Sequence, residues 1–167
     1  MKSTMSPGTI LISRNEVAKI LSIKNCMDAV EHAFKLFGEG KVKPPSVLGI
    51  YVSDGGFHIK AGVMNLNRNY FVAKTNANFP GNSKKFGLPT IQGVVAVFDA
   101  DNGQLLALMD SMEITIIRTG AATGVAAKYL SVLLRDARDA SLAIHIWRIL
   151  GMLPAKGLLR LKEHCSK

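Results

Sequence analysis

Hydrophobic residues recur every three or four positions in three parts of the chain. The first part follows Ser13 and Glu16, whose spacing is typical of the capping box that begins a helix. The second runs over residues 25–37 and ends at glycines, and the third runs over residues 110–129 without a proline. The pattern therefore predicts a short helix, an amphipathic helix and a long helix, in that order.

Between the second and third of these helices, the chain consists of short β-rich runs separated by turn residues. The runs are Val47–Val52, Phe57–Ala61, Phe71–Thr75, Gly93–Asp99 and Leu105–Met109. Short connections favour antiparallel neighbours, and Asn102 with Gly103 is predicted to supply the positive φ angles of a hairpin. We therefore predict an α+β fold with N-terminal helices, a mainly antiparallel sheet and a long helix.

Composition restricts the class of protein. With 167 residues, of which 48% are hydrophobic and 20% charged, the chain has the size of one ordinary domain.

Its 21 basic and 12 acidic residues give a net charge of +9. No run of adjacent basic residues is interleaved with aromatic residues, so a basic surface or a site for an acidic small molecule is favoured over nucleic acid. No apolar run is long enough to predict a membrane span or a signal peptide.

Cysteine and histidine positions give little indication of redox or metal chemistry. Cys26 and Cys165 cannot form a disulfide framework, so a reducing cytoplasm is the expected location. The four histidines are scattered, without the spacing of metal ligands, so no metal site is predicted.

Three cations stand in apolar stretches of sequence, namely Lys60, Lys74 and Arg118. A buried cation is rarely left without a partner of opposite charge. Two kinds of partner suit lysine and arginine, a substrate carboxylate and an internal aspartate or glutamate, and the internal partner is favoured for any one of the cations taken singly. The residues alone leave both interpretations open.

Four ordered blocks of sequence carry a resemblance to a known family. They are residues 74–82 (KTNANFPGN), 87–93 (GLPTIQG), 99–103 with 107–110 (DADNG and ALMD) and 115–122 (TIIRTGAA). Over residues 10–130 the chain resembles the ornithine cyclodeaminase/mu-crystallin family, which includes an alanine dehydrogenase branch.

The resemblance implies a substrate-binding and dimerisation domain over residues 1–130, followed by a Rossmann domain that holds NAD or NADP. It implies NAD-dependent deamination and cyclisation of an amino acid, such as ornithine to proline plus ammonia, or a related alanine dehydrogenase or ketimine reductase activity. The implied partners are a small amino-acid or imino-acid substrate and a second copy of the chain in a homodimer.

The same resemblance assigns roles to individual residues. Lys74 would contact the substrate carboxylate, and Arg118 would lie at the substrate and the cofactor phosphates. Thr90 and Thr119 would contact the cofactor. Lys60 is a further substrate-binding candidate, at a position where many members have methionine.

Residues 131–167 depart from the family pattern. A glycine-rich turn that would admit a pyrophosphate is expected after residue 144, but residues 145–156 carry one glycine and Trp147 there. Compensating frame shifts and genuine sequence drift both explain this segment. We expect an incomplete remnant of a Rossmann domain, no catalytic residue because the family's catalytic aspartate is absent, and no activity or tight NAD binding by this chain alone. The alternative is a non-catalytic dimerisation or carboxylate-binding module.

Overall fold

The computed structural model describes residues 8–133, which divide into two compact units. Within the described residues, the sheet unit comprises residues 8–17 and Glu39–Met112, and the helical unit comprises Ala18–Gly38 and residues 113–133. The predicted α+β class, with a mainly antiparallel sheet and a long helix, is confirmed. The expected Rossmann remnant over residues 131–167 lies almost wholly outside the described residues.

The sheet unit contains six strands in the order β1-β6-β5-β4-β3-β2. All neighbours are antiparallel except β1 and β6, which pair in parallel. The strands are β1 Ile10–Ile12, β2 Ser46–Val52, β3 Gly55–Asn65, β4 Asn69–Asn78, β5 Ile91–Asp99 and β6 Leu105–Asp110. A one-turn helix, α3 (Asn82–Lys85), lies in the connection between β4 and β5.

Two features of the sheet differ from the sequence prediction. Strands β3 and β4 extend beyond the predicted runs, because ten consecutive register pairs hold even weak strand formers such as Gly62 and Asn65 in the ladder. The β5–β6 turn has a positive φ only at Gly103, at +77°. The predicted positive φ at Asn102 is wrong, since Asp99 accepts a hydrogen bond from the Gly103 amide at 2.9 Å across a longer turn.

A buried carboxylate organises this turn. Asp99 is only 4% exposed, and its Oδ1 accepts a hydrogen bond from the Asp101 amide at 2.9 Å. Its Oδ2 accepts another from the Arg68 guanidinium, which comes from the β3–β4 turn. Both hydrogen bonds hold the pKa of Asp99 below its usual value. The bond from the Asp101 amide has the largest effect, and the bond from Arg68 has the next largest. The ionised form of Asp99 therefore stabilises the folded state.

Replacing Asp99 with asparagine is expected to make the stability less dependent on pH. Because the folded pKa is lowered, the stabilisation is fully present above the ordinary carboxyl pKa of about 3.9 and is lost as pH falls through the folded value. Urea denaturation should therefore give a lower midpoint for Asp99→Asn than for the unmutated chain at pH 7, and a smaller difference at about pH 3.

The matched control is Asp54→Asn, at an exposed ion pair with Lys85 (2.9 Å), where the midpoint should barely change. A difference between Asp99→Asn and the unmutated chain that stays constant across this pH range would contradict the stabilising role of the Asp99 charge.

The two faces of the sheet differ in character, because residues alternate between faces along each strand. One face, which we call the polar face, carries His58, Lys60, Lys74 and Asn76. The opposite, apolar face carries large hydrophobic side chains from four strands, which are Leu48, Ile50, Phe57, Ile59, Val63, Phe71 and Phe98. Several of these remain exposed, including Leu48 at 54% and Val63 at 51%.

The predicted capping box at the first helix is confirmed. In α1 (Arg14–Ile20), Glu16 Oε2 accepts a hydrogen bond from the Ser13 amide at 2.8 Å, and the Glu16 amide donates to Ser13 Oγ at 3.4 Å. These two bonds satisfy amides that would otherwise lack partners at a helix start. The local spacing of Ser13 and Glu16 was therefore sufficient to locate this helix.

The helical unit is formed mainly by α2 (Ile23–Gly38) and α4 (Met112–Leu133). Its core comprises Cys26, Ile117 and Ala121, with partly buried hydrophobic residues packed around them. Lys128 Nζ donates to Glu31 Oε1 at 2.8 Å, and the Tyr129 hydroxyl donates to the same oxygen. These two hydrogen bonds lower the pKa of Glu31 from its ordinary value, and the bond from Lys128 has the larger effect.

Candidate functional site

Two of the predicted substrate-binding residues meet on the polar face. Lys60 in β3 and Lys74 in β4 are direct register partners. Directly opposite residues of an antiparallel pair place their side chains on the same face, with Cβ atoms roughly 4.5–5.5 Å apart. The sheet therefore holds two ammonium-bearing side chains next to each other, although they are fourteen residues apart in the sequence.

The three cations are less buried than their sequence surroundings indicated. Lys74 is half-buried and engages a partner within the protein, whereas Lys60 and Arg118 are exposed. The expectation of a buried setting is therefore wrong for Lys60 and Arg118. The reason is that hydrophobic neighbours in a strand or helix point in other directions, and a long cationic side chain keeps its charged end in water.

Strands β4 and β5 approach each other closely at Gly93, and this close approach supports the polar face beside Lys74. Ser111, the fully buried residue before α4, donates its hydroxyl to Asn76 Oδ1 at 2.7 Å and its amide to the Gly93 carbonyl at 3.0 Å. A Cβ atom at Gly93 would lie 2.2 Å from the Thr75 carbonyl oxygen and 2.5 Å from Asn76 Oδ1. Only glycine at position 93 leaves room for this arrangement.

Two further residues belong to this surface but were not among the sequence candidates. His58 lies two residues before Lys60 and is the register partner of Asn76, so both share the polar face. The His58 ring also packs edge-on against Tyr51, with the ring centroids 5.7 Å apart. The two-residue period of β3 could have indicated His58, whereas Asn76 required the register between strands.

The residues assigned to the cofactor offer only part of a dinucleotide site. Arg118 in α4 presents an exposed guanidinium that suits a phosphate. The neighbouring Thr119 donates its hydroxyl to the Thr115 carbonyl at 2.7 Å, so that proton is used within the helix. Thr90 is half-buried before β5, and its carbonyl accepts the Phe79 amide at 2.8 Å. Across residues 8–133, these groups fit a phosphate contact but do not form a complete dinucleotide site.

Other chemistry receives little support from the described part of the chain. Burial raises the pKa of the Cys26 thiol above its ordinary value, with the charge of Arg118 acting in the opposite direction. A buried thiol with a raised pKa is a poor nucleophile.

Among the residues described, no cluster of three or more side chains could hold a metal ion. None of the described helices has the length and hydrophobicity needed to cross a membrane.

The fold is shared with nicotinamide-dependent enzymes of amino-acid metabolism. An archaeal alanine dehydrogenase dimer with bound NAD superimposes with a TM-score of 0.67 at 35% identity, over 72% of this chain and 37% of that one. The Thermococcus litoralis Delta(1)-pyrroline-2-carboxylate reductase, in complex with NADH and L-proline, gives a TM-score of 0.64 at 33% identity, over 72% of this chain and 38% of that one.

Sequence comparison agrees with the structural similarity. The chain is 36% identical over 124 residues to an alanine dehydrogenase of Archaeoglobus fulgidus, which covers 74% of this chain and 37% of the relative. The model of the ornithine cyclodeaminase/mu-crystallin family matches residues 8–143. The chain belongs to this family, as its sequence motifs predicted. It spans less than two fifths of the length of the relatives named here.

Proposed function

We propose that this chain is the substrate-binding and dimerisation part of an NAD-dependent enzyme that acts on a small amino acid or imino acid. Residues 1–130 form that part, and residues 131–167 begin a dinucleotide-binding region. The cofactor is NAD or NADP, with Arg118 contributing to phosphate binding and Thr90 and Thr119 lying beside the cofactor. The reaction is one of those implied by the family, an oxidative deamination, a cyclodeamination or the reduction of an imine.

The observation that carries this proposal is the position of Lys74. It lies half-buried on a central strand, beside Asn76 and opposite Lys60. A half-buried lysine attracts an anion more strongly than an exposed lysine, because water screens the charge less. The substrate carboxylate, which every amino acid and imino acid carries, is the anion that we propose for Lys74, in addition to its partner within the protein.

Support for a homodimer comes from the apolar face of the sheet. Four of the large hydrophobic side chains there, Leu48, Ile50, Phe57 and Val63, are 38–54% exposed within one chain, and a contiguous exposed apolar surface usually marks an interaction site. The alanine dehydrogenase that shares this fold is a dimer. We propose that two copies of the chain bury their apolar faces against each other, which leaves both polar faces available for substrate.

Replacing Lys74 with alanine is expected to weaken carboxylate binding about tenfold or more. A charge-assisted hydrogen bond to a carboxylate typically contributes about 1.5–3 kcal/mol, and 1.4 kcal/mol corresponds to a factor of ten in affinity. Isothermal titration of the 167-residue chain with L-alanine and with L-proline measures this change.

The matched control is Lys84→Ala, at an exposed lysine of α3 in the same unit, which should leave both affinities unchanged. Equal weakening by the two substitutions would mean that general charge, not the Lys74 site, attracts the ligand. Failure of the unmutated chain to bind either amino acid would contradict the proposal as a whole.

A further inference from the structure

The turn between β5 and β6 contains an asparagine that has no part in the proposed function. Asn102 is followed by Gly103, whereas every other asparagine of the chain is followed by a residue that has a side chain. Both residues of the pair are exposed. A Cβ atom at Gly103 would meet nothing within 4 Å, so the peptide that joins the two residues lies in open surroundings.

The side chain of Asn102 bends back over this peptide. Asn102 Oδ1 accepts a hydrogen bond from the Gln104 amide at 2.9 Å. A bond from an asparagine side chain to the amide two residues later closes an Asx turn, which has the shape of a backbone turn. Because the closed ring includes the Gly103 nitrogen, the turn holds Asn102 Cγ beside that nitrogen. These two atoms become bonded when asparagine forms a cyclic imide with the next peptide.

The same hydrogen bond favours attack on the amide of Asn102. When a nucleophile adds to Cγ, negative charge develops on Oδ1. The Gln104 amide already donates to that oxygen, and a backbone N–H that points at a developing oxyanion lowers the barrier to the reaction. The turn therefore supplies both the approach of the two atoms and a donor for the charge that forms.

One hydrogen bond of the turn has to break before the two atoms can join. The Gly103 amide donates its proton to the Asp99 carbonyl at 2.9 Å. That proton must leave before the nitrogen can attack, so a base is needed. Hydroxide is the base that water provides, and the reaction should therefore become faster as pH rises.

We propose that Asn102 is a site of spontaneous deamidation in the folded protein. Hydroxide removes the Gly103 amide proton, and the nitrogen bonds to Asn102 Cγ. The bond between Cγ and Nδ2 then breaks, and the leaving nitrogen takes a proton from water and departs as ammonia. Water opens the resulting succinimide at Cγ to give isoaspartate or aspartate, according to which of its two carbonyl carbons is attacked. The reaction needs neither substrate nor cofactor, so it is independent of the proposed function.

Both products disturb the turn that Asp99 organises. Each replaces a neutral amide by a carboxylate, close to the buried charge of Asp99, which lies beside the backbone amides of residues 101 and 102. Isoaspartate also lengthens the main chain by one methylene group between residues 102 and 103. The hydrogen bonds that join Asp99 to Gly103 and Gln104, both 2.9 Å long, span that position. The modified chain should therefore be less stable.

Mass spectrometry of the folded 167-residue chain, incubated at neutral and at mildly alkaline pH, measures the reaction. Trypsin releases residues 86–118 as a peptide in which Asn102 is the only asparagine. This peptide should gain the mass difference between an amide and an acid at residue 102, and should do so faster at the higher pH. It should also separate into two chromatographic forms, one with aspartate and one with isoaspartate. The tryptic peptide of residues 75–84, which contains Asn76, Asn78 and Asn82, is the internal control and should stay unchanged.

Two substitutions separate the reaction from its consequence. Gly103→Ala should slow the conversion about tenfold, which corresponds to about 1.4 kcal/mol in the barrier, because a methyl group beside the attacking nitrogen hinders its approach. Alanine at the positive φ of +77° also strains the turn, so a second variant is needed. Asn102→Ser removes the reacting amide and should keep its urea midpoint during incubation. The unmutated chain should lose stability in proportion to the converted fraction.

Conversion at residue 102 without denaturant, with residues 75–84 unchanged, would support the proposal. Conversion that appears only in urea would overturn it, since the folded turn would then protect Asn102. Equal conversion of the control peptide would also overturn it, because the turn would then have no effect of its own. An unchanged rate in Gly103→Ala would overturn the attack by the Gly103 nitrogen and, with it, the proposed site.

Discussion

Replacing Gly93 with alanine should lower the free energy of unfolding by about 2–4 kcal/mol, because the added methyl group has no space. Its Cβ would lie 2.2 Å from the Thr75 carbonyl oxygen and 2.8 Å from Ser111 Oγ. The nearest atom belongs to the backbone of β4, so the strand itself would have to move. Movement there would also strain the hydrogen bond between Ser111 and Asn76, which supports the polar face.

Urea denaturation followed by circular dichroism measures this loss. Gly38→Ala is the matched control, since a Cβ at the end of α2 would meet nothing within 4 Å and the residue has no positive φ. That variant should keep its stability or gain slightly, as alanine has fewer conformations to lose on folding. Equal stability of the Gly93→Ala and Gly38→Ala variants would show that the sheet accommodates the methyl group and that the close approach at Gly93 is unimportant.

Introducing a charge on the apolar face should dissociate the proposed homodimer. Ile50 is 49% exposed within one chain and lies on that face beside Phe57, its register partner. In a symmetric dimer Ile50→Lys places two ammonium groups in the interface, since each copy contributes one. Burying unpaired charges is costly, so the dissociation constant should rise about 100-fold, which corresponds to about 2.7 kcal/mol.

Sedimentation equilibrium over a range of protein concentrations measures this dissociation constant. Val47→Lys provides the control, because Val47 lies on the same strand, is 64% exposed and faces the polar side of the sheet. The Val47→Lys chain should retain the dimer. A monomeric unmutated chain, or equal weakening by the two lysines, would argue against an interface on the apolar face.

Local sequence patterns predicted most of the elements but not their limits. The capping box located α1 because Ser13 and Glu16 act within a single turn. Strand β1 was not predicted, because it has only three residues and its partner in β6 begins far along the chain at Ala107. No local pattern encodes a pairing between segments so distant in sequence.

The candidate site shows the same division between local and distant information. Lys60 and Lys74 stood out in the sequence because each is a cation among apolar residues, but the inferred burial of Lys60 was wrong. A strand exposes every second side chain, and which set is exposed depends on the packing of each face. Asn76 joined the site only when the register of β3 and β4 brought it beside the lysines, whereas His58 shares the face of Lys60 by the two-residue period of β3.

The sequence by itself determined the family, the order of the longer helices and strands and the cations that are candidates for carboxylate binding. Those properties follow from motifs and periodicities that extend over a few residues. Only the tertiary structure decided that Lys60 lies opposite Lys74, that Gly93 admits Ser111 beside Asn76, and that Leu48, Ile50, Phe57 and Val63 lie exposed on one face of the sheet. The physical reason is that strand register and close packing join residues far apart in sequence, and their positions depend on the whole sheet.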